Sequence, residues 1–448
     1  MKCGFAKRCI TPPIGFPIAG GTDPKVNDGV TDDLFTRALV FYDGERYAAL
    51  IAVDVCYMPT FVFDDTRSRM ARELGIDEDA IIITCSHTHS GPYMSAPLWW
   101  GAKTDAAAYI DEVKENIFSA ANEAYQNLYE CKMYTARGEA KGVSFIRRYR
   151  MRDGSVVTNP EIDDPNILEA LGTTNDTVKL LKITRDGAKD IFIVNFGTHS
   201  CTVGGNKTSA DYPGVICELL EGAMPDVECM FTLSAAGDAN HVNVHPTELE
   251  KEIRREDKIN PGTKRLRAKY IAYAVAGEVL KISQRATEIK SDKINFGMKE
   301  VSLPANKNET DDLEQAKRIL ELHKAGRTNE LPYREMALIT VVCNASRIIR
   351  MQTAPDFYNY KLFAISIGDL VFAGLPGEPF TDLGRRVMDA SPFGEVILCS
   401  ITNAMSTYFL TSKAMDEGGY EAGSTNLGKG SDDIIVDGMK KLYSELKG

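Results

Sequence analysis

Six histidines occur in the 448 residues, and five fall in three tight places: His87 with His89, His199, and His241 with His245. Neutral imidazole binds zinc readily and titrates near physiological pH, so such clusters mark where metal or proton chemistry can be built. In Ile81-Ile82-Ile83-Thr84-Cys85-Ser86-His87-Thr88-His89 two histidines stand one residue apart after an apolar run. In an extended segment both rings project from one face, which suits a metal and equally suits two loop histidines bonded to backbone. Phe192-Ile193-Val194-Asn195-Phe196-Gly197-Thr198-His199 repeats the design, and two such endings point to one shared site. A carboxylate would complete a zinc ligand set with a position left for water. Glu378 follows the apolar run Leu370-Val371-Phe372-Ala373 at the start of a helix, where it reads either as that ligand or as an acidic residue at a helix N-terminus.

His241-Val242-Asn243-Val244-His245 has the spacing of helical zinc pairs but lacks the glutamate of His-Glu-x-x-His, and its alternating valines oppose a helix. It is expected to lie outside the metal site. In Gly237-Asp238-Ala239-Asn240, Asp238 and Asn240 either line a substrate pocket or close an Asx turn. Tyr93-Met94 and Leu98-Trp99-Trp100, after the His-x-His loop, offer a pocket wall or ordinary core packing. No Gly-x-Ser-x-Gly elbow, phosphate-binding loop or dinucleotide fingerprint is present.

The elements that must carry these residues alternate. Strands are expected at 37–41, 48–55, 81–84, 177–183, 190–196 and 228–233, with helices at 64–74, 106–125 and from Pro213 to Glu221. The stretch 247–330 is charged and helix-favouring around Pro261-Gly262 and reads as a helical covering insertion. Strands then return at 336–343, 362–373 and 396–401, with helices from about Phe380 and from Asp432. No linker or repeat divides the chain, so residues 1–448 read as a single domain.

Composition fits an ordinary globular protein, 44% hydrophobic and 26% charged, and a chain of this length buries a core that needs no metal staple. A formal net charge of −11 has the wrong sign for tracking nucleic acid or an anionic leaflet. Charges near the start and the absence of a long apolar run lead us to expect a cytoplasmic protein without signal peptide or membrane anchor. Ten singly scattered cysteines without a Cys-x-x-Cys read as reduced thiols.

In order along the chain, Ile10-Thr11-Pro12-Pro13-Ile14-Gly15, Thr88-His89-Ser90-Gly91-Pro92, the strand into His199, Gly237-Asp238, Leu375-Pro376-Gly377-Glu378 with Gly384-Arg385-Arg386, and Tyr420-Glu421-Ala422-Gly423-Ser424-Thr425 resemble the catalytic domain of the neutral, non-lysosomal ceramidases. The resemblance implies an α/β fold of mixed β-sheets flanked by helices, without the family's immunoglobulin-like C-terminal domain. It also implies a zinc amidohydrolase with one Zn2+. Carried over, the ligands are His87, His199, Glu378 and Tyr408, and the neighbouring catalytic groups are His89, Arg147 and Tyr420. His89 and Tyr420 are expected to donate hydrogen bonds to the oxyanion. From the residues alone, Tyr408 and Tyr420 read as partly buried aromatics and Arg147 as part of a solvated basic run. Two departures stand out: Ile146 replaces the family's Asn before the arginine, and Asn240 falls where ceramidases have a serine, which excludes a seryl nucleophile. The expected substrate is therefore small and polar rather than long-chain ceramide. Hydrolysis of an ester, lactone or glycosidic bond, or ligand binding without turnover, are the alternatives; the oligomeric state is not legible.

Overall fold

In the computed structural model, which describes residues 1–21, 25–94, 106–289, 293–308, 310–404 and 407–448, Lys2–Cys9 (β1) pairs antiparallel with Phe35–Tyr42 (β2). The latter pairs antiparallel with Tyr47–Val53 (β3), and β3 runs parallel to Ile81–Cys85 (β4). Tyr129–Glu139 (β5), Thr177–Arg185 (β6) and Asp190–Phe196 (β7) are antiparallel neighbours, and Val227–Leu233 (β8) runs parallel to β7. A short contact of Lys2 and Cys3 with Glu130 and Tyr129 joins the halves into one nine-stranded sheet, β8-β7-β6-β5-β1-β2-β3-β4, with the short strand Thr287–Glu288 on β5. A second sheet orders Ile294–Pro304 (β9), Phe357–Ile367 (β10), Leu370–Gly374 (β11) and Glu395–Cys399 (β12), with β11 and β12 parallel.

The two sheets share a core in which Phe41 and Phe372 stand 6.2 Å apart, ring centre to ring centre. Ile81, Ile82 and Ile83 are fully buried. At about 1.5–3 kcal/mol per buried Ile side chain, these three anchor β4 with no help from any ligand. Thr60–Leu74 (α1) packs on Ala106–Gln126 (α2), which lies over β1 and β2. Asp211–Ala223 (α3), Glu248–Ile259 (α4) and Leu266–Ser283 (α5) cover the β5–β8 half. Leu313–Lys324 (α6) and Glu335–Met351 (α7) form a helical hairpin, and Thr381–Asp389 (α8) with Ser431–Lys447 (α9) flank the second sheet.

Each strand that leads to a candidate ligand has a parallel neighbour: β4 beside β3, β7 beside β8, β11 beside β12. Hydrogen bonds stitch the carboxyl ends of these three pairs together. The Ser86 amide donates to the Val53 carbonyl, that of Ser234 to Phe196 and that of Ser400 to Leu233. Thr84 Oγ1 donates to the Ser400 carbonyl at 2.7 Å, and Asn403 Nδ2 to that of Ile81 at 2.8 Å. The strands thus deliver three loops to one place, where α/β sheets commonly bind ligands.

Three expectations are corrected. Met336 to Cys343 is helix, not strand: buried Val342, Ala345, Ile348 and Met351 recur every three residues along α7. A short apolar run has no period of its own, and packing against α6 selects the helix. The run 362–373 is a hairpin rather than one strand, because Gly368 takes a left-handed φ of 61° between β10 and β11. The stretch 247–330 is helical through α4, α5 and α6 but not throughout, since Ile294–Pro304 pairs along its whole length with β10.

Candidate metal centre

His87 follows β4 after Ser86 and takes a left-handed φ of 64°, an uncommon conformation that tertiary contacts impose. Its amide donates to the Val55 carbonyl, and its ring Nδ1 lies 2.9 Å from the Cys56 carbonyl oxygen. A carbonyl only accepts, so Nδ1 carries the proton and Nε2 presents a lone pair. The segment is therefore not extended as expected; the turn at His87 brings His89 Nε2 to 3.2 Å from His87 Nε2 with the rings edge-on. His199, three residues beyond β7, repeats the arrangement with Nδ1 at 3.1 Å from the Ala236 carbonyl and its amide bonded to that of Ala239. Backbone carbonyls thereby fix both tautomers, as they do for metal-ligating histidines.

Glu378 arrives from β11 through Leu375-Pro376-Gly377 and pairs in parallel register with Tyr408. The Gly237 amide donates to the Pro379 carbonyl, and a Cβ on Gly237 would stand 2.5 Å from the Glu378 carbonyl oxygen, so only glycine fits there. Glu378 does not serve the helix behind it. That role belongs to Asp238, whose carboxylate accepts from the Thr381 amide at 2.7 Å and its hydroxyl at 3.0 Å at the start of α8. Burial raises the Asp238 carboxyl to about 6.

Three acceptor atoms now face one another. His87 Nε2 lies 3.1 Å from His199 Nε2 and 3.2 Å from Glu378 Oε2, and His199 Nε2 lies 3.5 Å from Glu378 Oε2. Glu378 Oε2 is buried with no hydrogen-bond partner. Tetrahedral zinc with bonds near 2.0–2.1 Å spaces its ligands about 3.3 Å apart. The donor set and its spacing therefore fit zinc. His89 does not join this group: among the described residues the sets of ligand atoms that all lie within 4.8 Å of one another are His87, His199, Glu378 and, separately, Cys56, His87, His89.

The charges respond to the crowding. Burial and then Arg147 hold the His199 imidazolium form far below its ordinary range. Burial pushes His87 the same way, yet the Cys56 thiolate and the Glu378 carboxylate outweigh it and raise its proton affinity well above the usual. Glu378 is lowered in turn, His87 overcoming the effect of burial. A proton on His87 thus occupies the place a metal cation would take, and the two compete.

Arg147 is buried rather than solvated. Its Nε donates to Glu421 Oε1 at 2.7 Å and its Nη2 to the Gly237 carbonyl at 2.7 Å, and its guanidinium lies 5.3 Å from the Tyr408 ring and 5.9 Å from that of Tyr420. Burial, followed by Glu378 and Tyr420, raises the Tyr408 hydroxyl well above its ordinary value. Asn240 closes a turn, accepting from the Val242 amide at 2.9 Å and donating to Asn159. His241 and His245 point apart, to Cys201 and to Asp163. Trp99 and Trp100 lie outside the described residues. Two residues escaped the sequence reading: Cys56, whose carbonyl orients His87, and Glu421, which holds Arg147. Only the adjacency of Glu421 to Tyr420 could have drawn attention to it.

No protein-family model matches the sequence, and no curated protein sequence matches it. Solved structures do match. The neutral ceramidase from Pseudomonas aeruginosa superimposes with a TM-score of 0.71 at 16% identity, over 99% of this chain and 75% of that one. A ceramidase complexed with C2 superimposes at 0.70 and 15% identity, over 99% and 74%. The chain thus has the mixed α/β fold of these ceramidases.

Proposed function

We propose that the chain is a zinc-dependent hydrolase that cleaves an N-acyl bond in a small, polar substrate, with one ion held by His87, His199, Glu378 and Tyr408. The observation that carries this reading is the convergence of two imidazole lone pairs and a partnerless carboxylate oxygen at 3.1–3.5 Å. The ceramidase names of the structural neighbours support the amide as the bond cleaved. Bound zinc supplies a Lewis acid for a carbonyl and a water of lowered pKa.

The chain's own groups do the rest. His87 and His199 are locked in the tautomer that leaves Nε2 free. His89 Nδ1 is tied to the Gly20 carbonyl at 2.8 Å, so its neutral ring presents an acceptor at Nε2. His89 therefore takes a proton from the attacking water and returns it to the leaving amine, rather than donating to the oxyanion as the family resemblance led us to expect. Arg147, braced by Glu421, and Tyr420 beside it are the donors for the developing negative charge. Asn240 is engaged in its turn and takes no part.

A small polar substrate agrees with the net charge of −11, and no helix among the described residues is long and apolar enough to cross a membrane. The test is zinc stoichiometry by elemental analysis together with kcat/KM on N-acyl amines of short and long chain, esters, lactones and glycosides. One zinc per chain with fastest turnover of short N-acyl amines is expected. Zinc without hydrolysis of any of these, or faster turnover of long-chain lipid, would sink the reading.

A further inference from the structure

We infer that the cavity between α4 and the loops after β7 and β8 is a carboxylate subsite of the candidate active site, with Arg254 as its specificity-determining residue. The inference rests on the hydrolase reading above and adds the substrate's charge to it. The cavity encloses about 190 Å3 and is lined in part by Thr202, His241, Arg254 and Arg267. Thr202 stands three residues past His199, and His241 two past Ala239, whose carbonyl receives the His199 amide. His241 Nδ1 is 3.8 Å from Cys201 Sγ on the loop that carries His199. The cavity therefore opens from the same two loops that place a candidate metal ligand.

Donors and acceptors in this cavity are unequally used. Glu250 spends Oε2 on the Thr247 amide and hydroxyl and on Asn243 Nδ2, and Oε1 on Arg267 at 3.4 Å. Asp257 spends one oxygen on the Leu266 amide and the other on that of Arg267, at 3.0 and 2.8 Å, capping α5. Thr202 Oγ1 donates to Asp211 at 2.5 Å. Arg254, in contrast, has no hydrogen-bond or ion-pair partner among the described residues. With both carboxylates engaged and the Arg254 guanidinium free, the cavity offers its unpaired donors to an anion, and the planar fork of arginine suits a carboxylate. Burial, then Arg267 and Arg254, lowers His241 to about 3, so it stays neutral.

The experiment uses the zinc-loaded full chain, with N-acetyl-L-alanine and N-succinylmethylamine as carboxylate probes and N-acetyl-L-alaninamide as the neutral one. Calorimetry gives Kd for each probe, and kcat/KM is measured for whichever are cleaved. At least one carboxylate probe should bind about tenfold or more tightly than the amide, as charged hydrogen bonds allow. Arg254→Ala should erase that preference, mostly through Kd or KM with kcat kept, Arg254→Lys should restore part of it, and added salt should weaken it. Arg254 is exposed on α4, so the fold tolerates the change. Equal binding of charged and neutral probes, or a preference that survives Arg254→Ala, overturns the subsite even if the neutral amide is hydrolysed. Arg254-dependent binding with no turnover of any probe supports the subsite and defeats the hydrolase reading instead.

Discussion

Two buried clusters of ionisable side chains lie side by side, and they differ in one respect. Around Glu421 the charges are internally matched: its carboxylate takes Arg147 at 2.7 Å and Thr158 at 3.1 Å, with Arg148 at 3.6 Å, and Arg148 donates onward to Glu417 and the Gly418 carbonyl. Around Glu378 acceptors face acceptors, and the group is complete only with a cation from outside, a proton or a metal. Both are desolvated, so burial alone does not mark a site. What marks it is that acceptors face acceptors with no opposite charge among them, whereas at Glu421 carboxylates face guanidiniums even though Arg148 Nε, 3.6 Å away, has no hydrogen-bond partner. The matched cluster holds Arg147 in place, and the unmatched one is where a metal can bind.

The comparison is sharpened most by removing a ligand. His199→Ala or Glu378→Gln should lower kcat/KM about a thousandfold or more, because the Lewis acidity at stake is worth several kcal/mol, and should abolish zinc retention in elemental analysis. The fold should persist in circular dichroism, since the Ile81–Ile83 anchor and the shared core of the two sheets do not depend on the ion.

Glu421→Ala should spare the metal and cost stability, with kcat also lowered because Arg147 loses its brace. It strands Arg147 and Arg148 without their shared carboxylate, and breaking such a buried pair costs about 3–5 kcal/mol of stability, read from the denaturation midpoint, while zinc stays bound. If it empties the site as thoroughly as His199→Ala does, the two clusters are one. A smaller effect is expected from Gly237→Ala, which pushes a Cβ against the Glu378 carbonyl. It should cost about 10–100-fold in metal affinity, the usual scale for a displaced supporting group.

The finest test is pH. His87 has a folded-state proton affinity raised above its unfolded value of 6.5. The stability it contributes to chelator-treated protein is therefore fully present below about that pH and is lost as pH rises through the higher folded value. The zinc-loaded protein should show the reverse trend over the same range, because the metal displaces that proton and binds more tightly as it leaves. Melting curves across pH, with and without chelator, check both signs, and His87→Gln should flatten both slopes.

Much of this was legible in the residues. The apolar runs ending at Cys85, Phe196 and Gly374 are strands, and the groups just beyond them meet. Helix α7 was misread because Met336 to Cys343 is apolar without a short-range period, and strand β9 was missed because Gly297, Lys299 and Glu300 interrupt it, although its pairing with β10 is continuous. Arg147 was read from the residues as solvated because a basic run carries no sign of the acidic partner waiting 274 positions away in Glu421.

The sequence by itself determined most of the apolar strand segments and which side chains follow their carboxyl ends, since apolar periodicity and chain order are local properties. Only the tertiary structure decided that His87 turns through a left-handed φ, that the Cys56 and Ala236 carbonyls select its tautomer and that of His199, and that Asp238 rather than Glu378 caps α8. The physical reason is that a lone pair becomes a site only when every competing donor has been engaged elsewhere. That account runs over residues hundreds of positions apart, and no window of sequence contains it.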